Sequence, residues 1–295
     1  MIFTVSAAFF QNLRNGLQKS LNSVLSTAGA AYTRFAFGLP LSIIYWIIIY
    51  SLFSEDLNWG WIFWINIFVA ATSQILAMVS LLRAFSLRGF AIGTAYGKTE
   101  TIQTAIFTVI LLNENIPIQA FIAIFISLIG VVLMTTAKSK MSMQGILLAW
   151  REPTALYGLA SGGLLGISAV TYRGAALAME GSGWILPAAS ALVVALTIQT
   201  LIMTIYLFVW EKGELSKVWI NRKRCSVVGL VSMLGSVGWF AAMTLQNAAY
   251  VRALGQVELI FTFLTSVFIF RERINKSEIA GTVLIVSGVI ILLLF

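Results

Sequence analysis

Whatever chemistry this sequence can do rests on a few charged side chains that stand inside otherwise apolar segments. The stretch from Gly97 to Ile116 reads GKTETIQTAIFTVILLNENI, and it recurs from Gly255 to Ile274 as GQVELIFTFLTSVFIFRERI. Aligned without a gap, Gly97 falls on Gly255, Glu100 on Glu258, Thr104 on Thr262, Val109 on Val267 and Glu114 on Glu272. The same register carries Gly130-Val131 onto Gly288-Val289. Composition alone does not produce this match, since two aligned pairs are acids, a residue type that membrane segments exclude. An ionisable side chain within a span costs about 2.5–3.5 kcal/mol on insertion scales unless it meets water, a partner or a substrate. Lys98, Glu100, Arg34 and Glu258 form that shortlist.

Two uses compete for these groups. A carboxyl group held out of water can load and release a proton near neutral pH, so Glu100 and Glu258 are candidates for proton coupling. Lys98 and Arg34 suit a carboxylate or phosphate on a substrate. The rival use is structural, an internal salt bridge such as Arg34 to Glu100 or Lys98 to Glu258. Lys98 and Glu100 are two residues apart and point to opposite sides of a helix, so each needs another partner. Glu100 shares its face with Tyr96, Gln103 and Thr104, a polar stripe suited to lining a cavity. Gln256 stands where the first copy has Lys98, so charge-selective recognition is one-sided. Trp239, Tyr172, Tyr250 and Trp184 offer flat walls for an ammonium group, although packing or lipid contact is the commoner use of any one aromatic. Glu114 and Glu272 lie at helix ends, where a carboxylate is cheap and stabilising, and Glu278 follows Asn275 in an N-cap pattern.

The elements that position these residues are membrane helices. Hydrophobic residues make up 59% of the 295, and charged residues only 10%, with a mean hydropathy of +0.93. That leaves too little polar surface to cover a soluble globule. One cysteine excludes a disulfide within the chain, and the absence of histidine removes imidazole from both metal binding and general-base work. No cofactor, metal site or catalytic residue is expected, and no complete GxxxxGK[S/T] loop, HExxH or GxSxG occurs. Met1 to Phe10 reads as the start of the first helix rather than a cleaved leader.

Hydropathy places spans at 1–21, 25–52, 59–82, 90–112, 117–137, 154–178, 182–210, 225–248, 253–270 and 277–295. The fold class is therefore all-α and integral to the membrane, with ten transmembrane helices. Residues 1–137 form one five-span repeat and 154–295 the other, joined by a linker at 138–153. An odd number of spans per repeat inverts the second against the first, which puts a site between the halves. Glycines at four-residue spacing, Gly89, Gly93 and Gly97 against Gly158, Gly162 and Gly166, read as close-packing stripes. A second reading of Gly97 is that it loosens the helix beside Lys98. Pro40 and Pro187 are expected to kink the second and seventh spans. Most of the 19 lysines and arginines fall in alternate connections, so the positive-inside rule puts those loops in the cytoplasm and both termini outside. The net charge of +8 is then a topology signal, and no nucleic-acid partner is expected.

A doubled five-span unit whose fourth helix ends in a glutamate, LLNENI at 111–116 and IFRERI at 269–274, followed by RERINKSEIAGTVLIVSGVIILLL, resembles the EamA type of the drug/metabolite transporter superfamily. The resemblance covers nearly the whole chain. It implies a ten-helix carrier in the bacterial inner membrane with a central cavity that opens to alternate sides, and often export of amino acids or related metabolites. Family members known from bacteria place their termini in the cytoplasm, against the charge rule applied here, because the connection after the second helix is acidic, Ser54-Glu55-Asp56.

The resulting expectation is a secondary transporter of a small polar or amphiphilic metabolite, an amino acid or similar zwitterion, coupled to protons, in lipid, as monomer or homodimer. Its binding residues would be Lys98, Glu100, Arg34, Tyr96, Gln103, Glu258, Gln256, Trp239 and Tyr172. The rival cargo is an organic anion or nucleotide-like metabolite. Rivals of another class are a lipid-acting membrane enzyme, which would need an interfacial acid/base group set, and a scaffold or receptor, which has no use for paired buried glutamates.

Overall fold

The computed structural model describes residues 1–53, 56–87, 90–137, 143–179, 183–268 and 276–294. It is 88% helical, without strands among the described residues, as lipid demands of a backbone that must satisfy its own hydrogen bonds. The helices are α1 (Ile2–Leu21), α2 (Thr27–Ala36), α3 (Gly38–Phe53), α4 (Trp61–Ser86), α5 (Phe90–Gly97), α6 (Glu100–Leu112) and α7 (Ile118–Ala137). There follow α8 (Met143–Leu148) with a 3-10 turn, α9 (Pro153–Leu177), α10 (Ile185–Trp210), α11 (Glu214–Ile220) and α12 (Arg222–Leu245). The chain ends with α13 (Ala248–Gly255), α14 (Val257–Phe268) and α15 (Lys276–Leu294). Seven helical stretches among the described residues are long and apolar enough to cross a membrane. The remaining expected spans correspond to α1 and to two interrupted helices, α5–α6 and α13–α14. The stretch expected as a linker, 138–153, contains α8, where Leu148 is exposed, and the exposed Trp150 follows in the 3-10 turn.

Local sequence explains several helix ends. Ser26 caps α2 by accepting from Gly29 N–H at 2.9 Å, and Asn247 caps α13 by accepting from Ala249 N–H at 2.9 Å. Asn113, in the left-handed region at φ 52°, closes α6. Pro153 opens α9 at the first position, where no N–H is needed. The break between α2 and α3 falls where Pro40 cannot donate to Ala36, as the expected kink requires. Pro187 behaves differently from expectation: it lies in the first turn of α10, where its N–H would have no partner within the helix, so it removes no hydrogen bond.

The chain divides into two compact units, residues 1–71 with 172–245 and residues 72–171 with 246–295. Each draws on both expected repeats. In the first unit α12 packs on α1, α2, α3 and α10. Glycine permits the contact with α1: a Cβ on Gly238 would stand 2.8 Å from the Phe3 carbonyl oxygen. In the second unit α7 and α15 pack most extensively. A Cβ on Gly130 would lie 2.6 Å from the Gly281 carbonyl oxygen, and one on Gly288 would lie 2.7 Å from that of Ala123. The repeat register that carries Gly130 onto Gly288 also carries Ala123 onto Gly281. One close contact is thus made twice.

The first unit holds a carboxylate cluster outside the spans. Glu214, 3% exposed, accepts from Ser26 N–H and from Lys217 at 3.0 Å, while Ser26 Oγ donates to Glu211 at 2.5 Å. The fit needs Gly29, where a Cβ would meet Glu214 Oε1 at 2.5 Å. Two acids at the start of α2 also complement its positive end. Burial pushes the Glu214 carboxyl up, but the Ser26 N–H and the Lys217 ammonium outweigh it and hold the group below its usual 4.5. A depressed folded value stabilises above the unfolded pKa and is lost as pH falls through the folded one. Glu214→Gln is therefore expected to lower thermal stability near neutral pH, by about 1–2 kcal/mol. The gap from wild type should narrow as melting curves are taken below pH 4.5; a pH-independent gap would refute the assignment.

Candidate functional site

Two helices that hydropathy reads as continuous are broken at aligned glycines. α5 ends at Gly97 and α6 begins at Glu100, while α13 ends at Gly255 and α14 begins at Val257. At the first break the Thr99 N–H turns to the Tyr96 carbonyl at 3.2 Å, a 3-10 bond in place of an α bond. The Thr99 hydroxyl donates to the same carbonyl at 2.5 Å, which satisfies an acceptor that the broken ladder leaves open. At the second, Gln256 N–H bonds Ala253 O at 3.2 Å and Leu259 N–H bonds Gln256 O at 3.0 Å. Each break creates a helix N-terminus with a glutamate in its first turn, Glu100 in α6 and Glu258 in α14. A partial positive charge at those ends lowers the cost of an anion in an apolar segment.

Both carboxylates are paired, and the pairs are crossed. Lys98, in the first break, donates through Nζ to Glu258 Oε1 at 2.5 Å. Arg252, in the last turn of α13, places Nε 3.0 Å from Glu100 Oε1. Each glutamate is thus held by a cation from the other half of the sequence. The two contacts differ in quality. Lys98 to Glu258 is a directed hydrogen bond, whereas Glu100 Oε1 has no aligned hydrogen bond despite the nearby guanidinium. Side-chain exposures of 20% and 13% for Lys98 and Glu258, and 12% and 9% for Arg252 and Glu100, leave all four mostly out of water. Pairing is what makes such burial tolerable.

The rest of the polar stripe is in contact with α9. Gln103 Nε2 donates to Thr99 Oγ1 at 2.7 Å and to the Leu159 carbonyl at 3.3 Å. Thr104, fully buried, donates to the Glu100 carbonyl at 2.7 Å. The glycine stripes meet: a Cβ on Gly158 would lie 2.8 Å from Gly93 O, and one on Gly162 2.8 Å from Gly97 O. Tyr96 packs beside Ile92, Ala149 and Ala155. Gly89 and Glu272 lie outside the described residues. Glu114 accepts from Asn247 Nδ2 at 2.7 Å, and the same Asn247 caps α13, so this acid braces a helix end.

The second unit therefore brings together Lys98, Glu100, Glu258 and Gln256 with Arg252, a residue to which the sequence reading gave no role. A lone charge beside an apolar segment is the signal that could have found it; its partner had none. Tyr96 and Gln103 belong to the same unit, and Arg34, Tyr172 and Trp239 to the first. The Arg34 guanidinium lies 4.3 Å over the Phe35 ring. Tyr172 is buried, accepts from Gln199 Nε2 at 3.0 Å and packs its ring against Phe240 at a 51° tilt. Trp239 donates to Gln11 Oε1 at 3.1 Å. Among the described residues no group of histidine, cysteine or acids is placed to hold a metal ion.

The model of the EamA-like transporter family matches residues 155–294, from the start of α9 through α15. Over that stretch the chain is similar to EamA-like transporters, and its seven long apolar helical stretches are those of a multi-pass membrane protein. No curated protein matches the sequence. Among solved structures 27 chains match; for one, a crystal structure 13% identical in sequence, the match covers 99% of this chain and 96% of that chain at a TM-score of 0.76. That likeness is one of fold.

Proposed function

We propose that the chain is a secondary carrier with ten membrane-crossing segments, built as two inverted five-span repeats at 1–137 and 154–295, that exchanges a small zwitterion such as an amino acid for protons by alternating access. The observation that carries this reading is the doubled break, at which aligned glutamates start two helices and each takes a cation from the opposite repeat. Two cations and two acids make a site that is neutral in sum and offers a partner to each end of a zwitterion. A carrier of organic anions or nucleotides would need cations in excess, and here Lys98 and Arg252 are each matched by an acid. Lys98 and Arg252 suit the substrate carboxylate. Glu100 and Glu258 suit a proton or an ammonium, with Tyr96, Gln103 and Gln256 beside them. Arg34 for an acid group, and Trp239 and Tyr172 for an apolar body, are the candidates of the first unit.

A ligand that binds only the folded protein stabilises it by about 2.7 kcal/mol at a hundred times its dissociation constant. Amino acids are therefore expected to raise the melting temperature of the purified protein, and organic acids and nucleotides to leave it unchanged. The opposite pattern would replace this reading with the anion carrier. Orientation is proposed from charge, with basic loops in the cytoplasm of a bacterium and both termini outside. A reporter fused after Phe295 should then behave as extracytoplasmic and one fused after Lys223 as cytoplasmic; reversed signals would show that the family's usual orientation holds.

A further inference from the structure

The repeat register puts Gln256 in the place of Lys98 and Glu100 in the place of Glu258, and the two halves satisfy these places differently. In one half an ammonium, Lys98 Nζ, sits on the glutamate at 2.5 Å. In the other, the glutamine that replaces the lysine turns its Nε2 back to the Arg252 carbonyl at 3.4 Å and leaves its Oε1 buried without a hydrogen-bond donor. Gln256 is 5% exposed. Glu100 Oε1 is likewise buried without an aligned hydrogen bond, although Arg252 neutralises its charge. Buried acceptors are almost always satisfied, and two that are not, on the pair of positions that elsewhere hold an ammonium and its acid, ask for a donor.

We infer that Glu100 and Gln256 form a subsite for the primary ammonium group of the substrate, which takes the position that the Lys98 side chain takes in the other repeat. This rests on the zwitterion reading for the rest of the ligand, but the ammonium is the part it commits to. A primary ammonium carries three N–H donors, so it can reach both acceptors at once. A carboxylate or a neutral apolar group supplies none. With the ammonium on Glu100, the Arg252 guanidinium is released toward the substrate carboxylate, and the charge balance of the site is unchanged.

The test uses the full chain purified in detergent, with melting shifts read against each protein amino acid, the amine left when its carboxylate is removed and the acid left when its amino group is removed. Wild type should be stabilised by at least one amine-bearing probe. Gln256→Lys, which fills the subsite with a tethered ammonium, should abolish that shift while melting no lower than wild type. Gln256→Leu should weaken the same probe about tenfold, the loss of one charge-assisted hydrogen bond, and it decides the matter if the lysine variant does not fold. Stabilisation by a free amine but by no amino acid would uphold the subsite and overturn the zwitterion reading. Stabilisation by acids alone, by no amine-bearing probe, or with equal affinity in wild type and Gln256→Leu would overturn the subsite.

Discussion

Lys98→Met is expected to lower the thermal stability of the purified protein by roughly 2–4 kcal/mol, because it takes the ammonium from a Glu258 carboxylate that is only 13% exposed. Residual contact with water keeps the figure below that of a fully buried pair. The double variant Lys98→Met/Glu258→Gln removes both charges and should regain most of the loss. A double-mutant cycle on melting curves isolates the pairwise coupling, and for a hydrogen-bonded pair it should be at least about 1.5 kcal/mol. A lysine that merely faced a cavity would give a single variant as stable as wild type and a coupling near zero. Either result would remove the pair as the tie between the α5–α6 break and α14.

How far the sequence revealed this arrangement depends on what each feature needs. The helices were legible because hydropathy is local: the expected span at 117–137 meets α7 at Ile118–Ala137, and 154–178 meets α9 at Pro153–Leu177. The break at Gly97 was legible only as a second reading, a helix loosened beside Lys98, and the one at Gly255 was not, since hydropathy runs through both glycines without pause and the interruption lies in backbone hydrogen bonds. The glycine stripes were legible as contact surfaces, and Gly158 and Gly162 do meet Gly93 and Gly97. Lys98 with Glu258 was one of the pairings that the spacing allowed. Arg34 with Glu100 was another, and there the structure gives Arg252 instead. Choosing the right cation requires knowing that α6 packs on α13, and that is a property of the folded chain. The repeat hides it too, because Arg252 aligns with Thr94 rather than with a second cation.

Glu100→Gln is expected to abolish uphill, proton-driven transport in proteoliposomes while leaving downhill exchange of substrate measurable. On the proposed exchange, proton and substrate compete for one carboxylate: Glu100 would take a proton or a substrate ammonium, each excluding the other, which is the minimal requirement for exchanging the two across a membrane. Glutamine keeps the shape and volume but carries neither the charge that attracts an ammonium nor the proton that must be released. Glu258 already has an ammonium in Lys98, so Glu258→Gln should reduce the transport rate through loss of the pair yet retain a pH-dependent gradient. On the proposed proton exchange, the asymmetry between Lys98 and Gln256 puts coupling at the first of two aligned acids. Accumulation against a gradient with unchanged pH dependence in Glu100→Gln, in Glu258→Gln and in the double variant would leave both glutamates as packing elements. Loss of uphill transport in Glu258→Gln with a normal Glu100→Gln would move the coupling site to the other repeat.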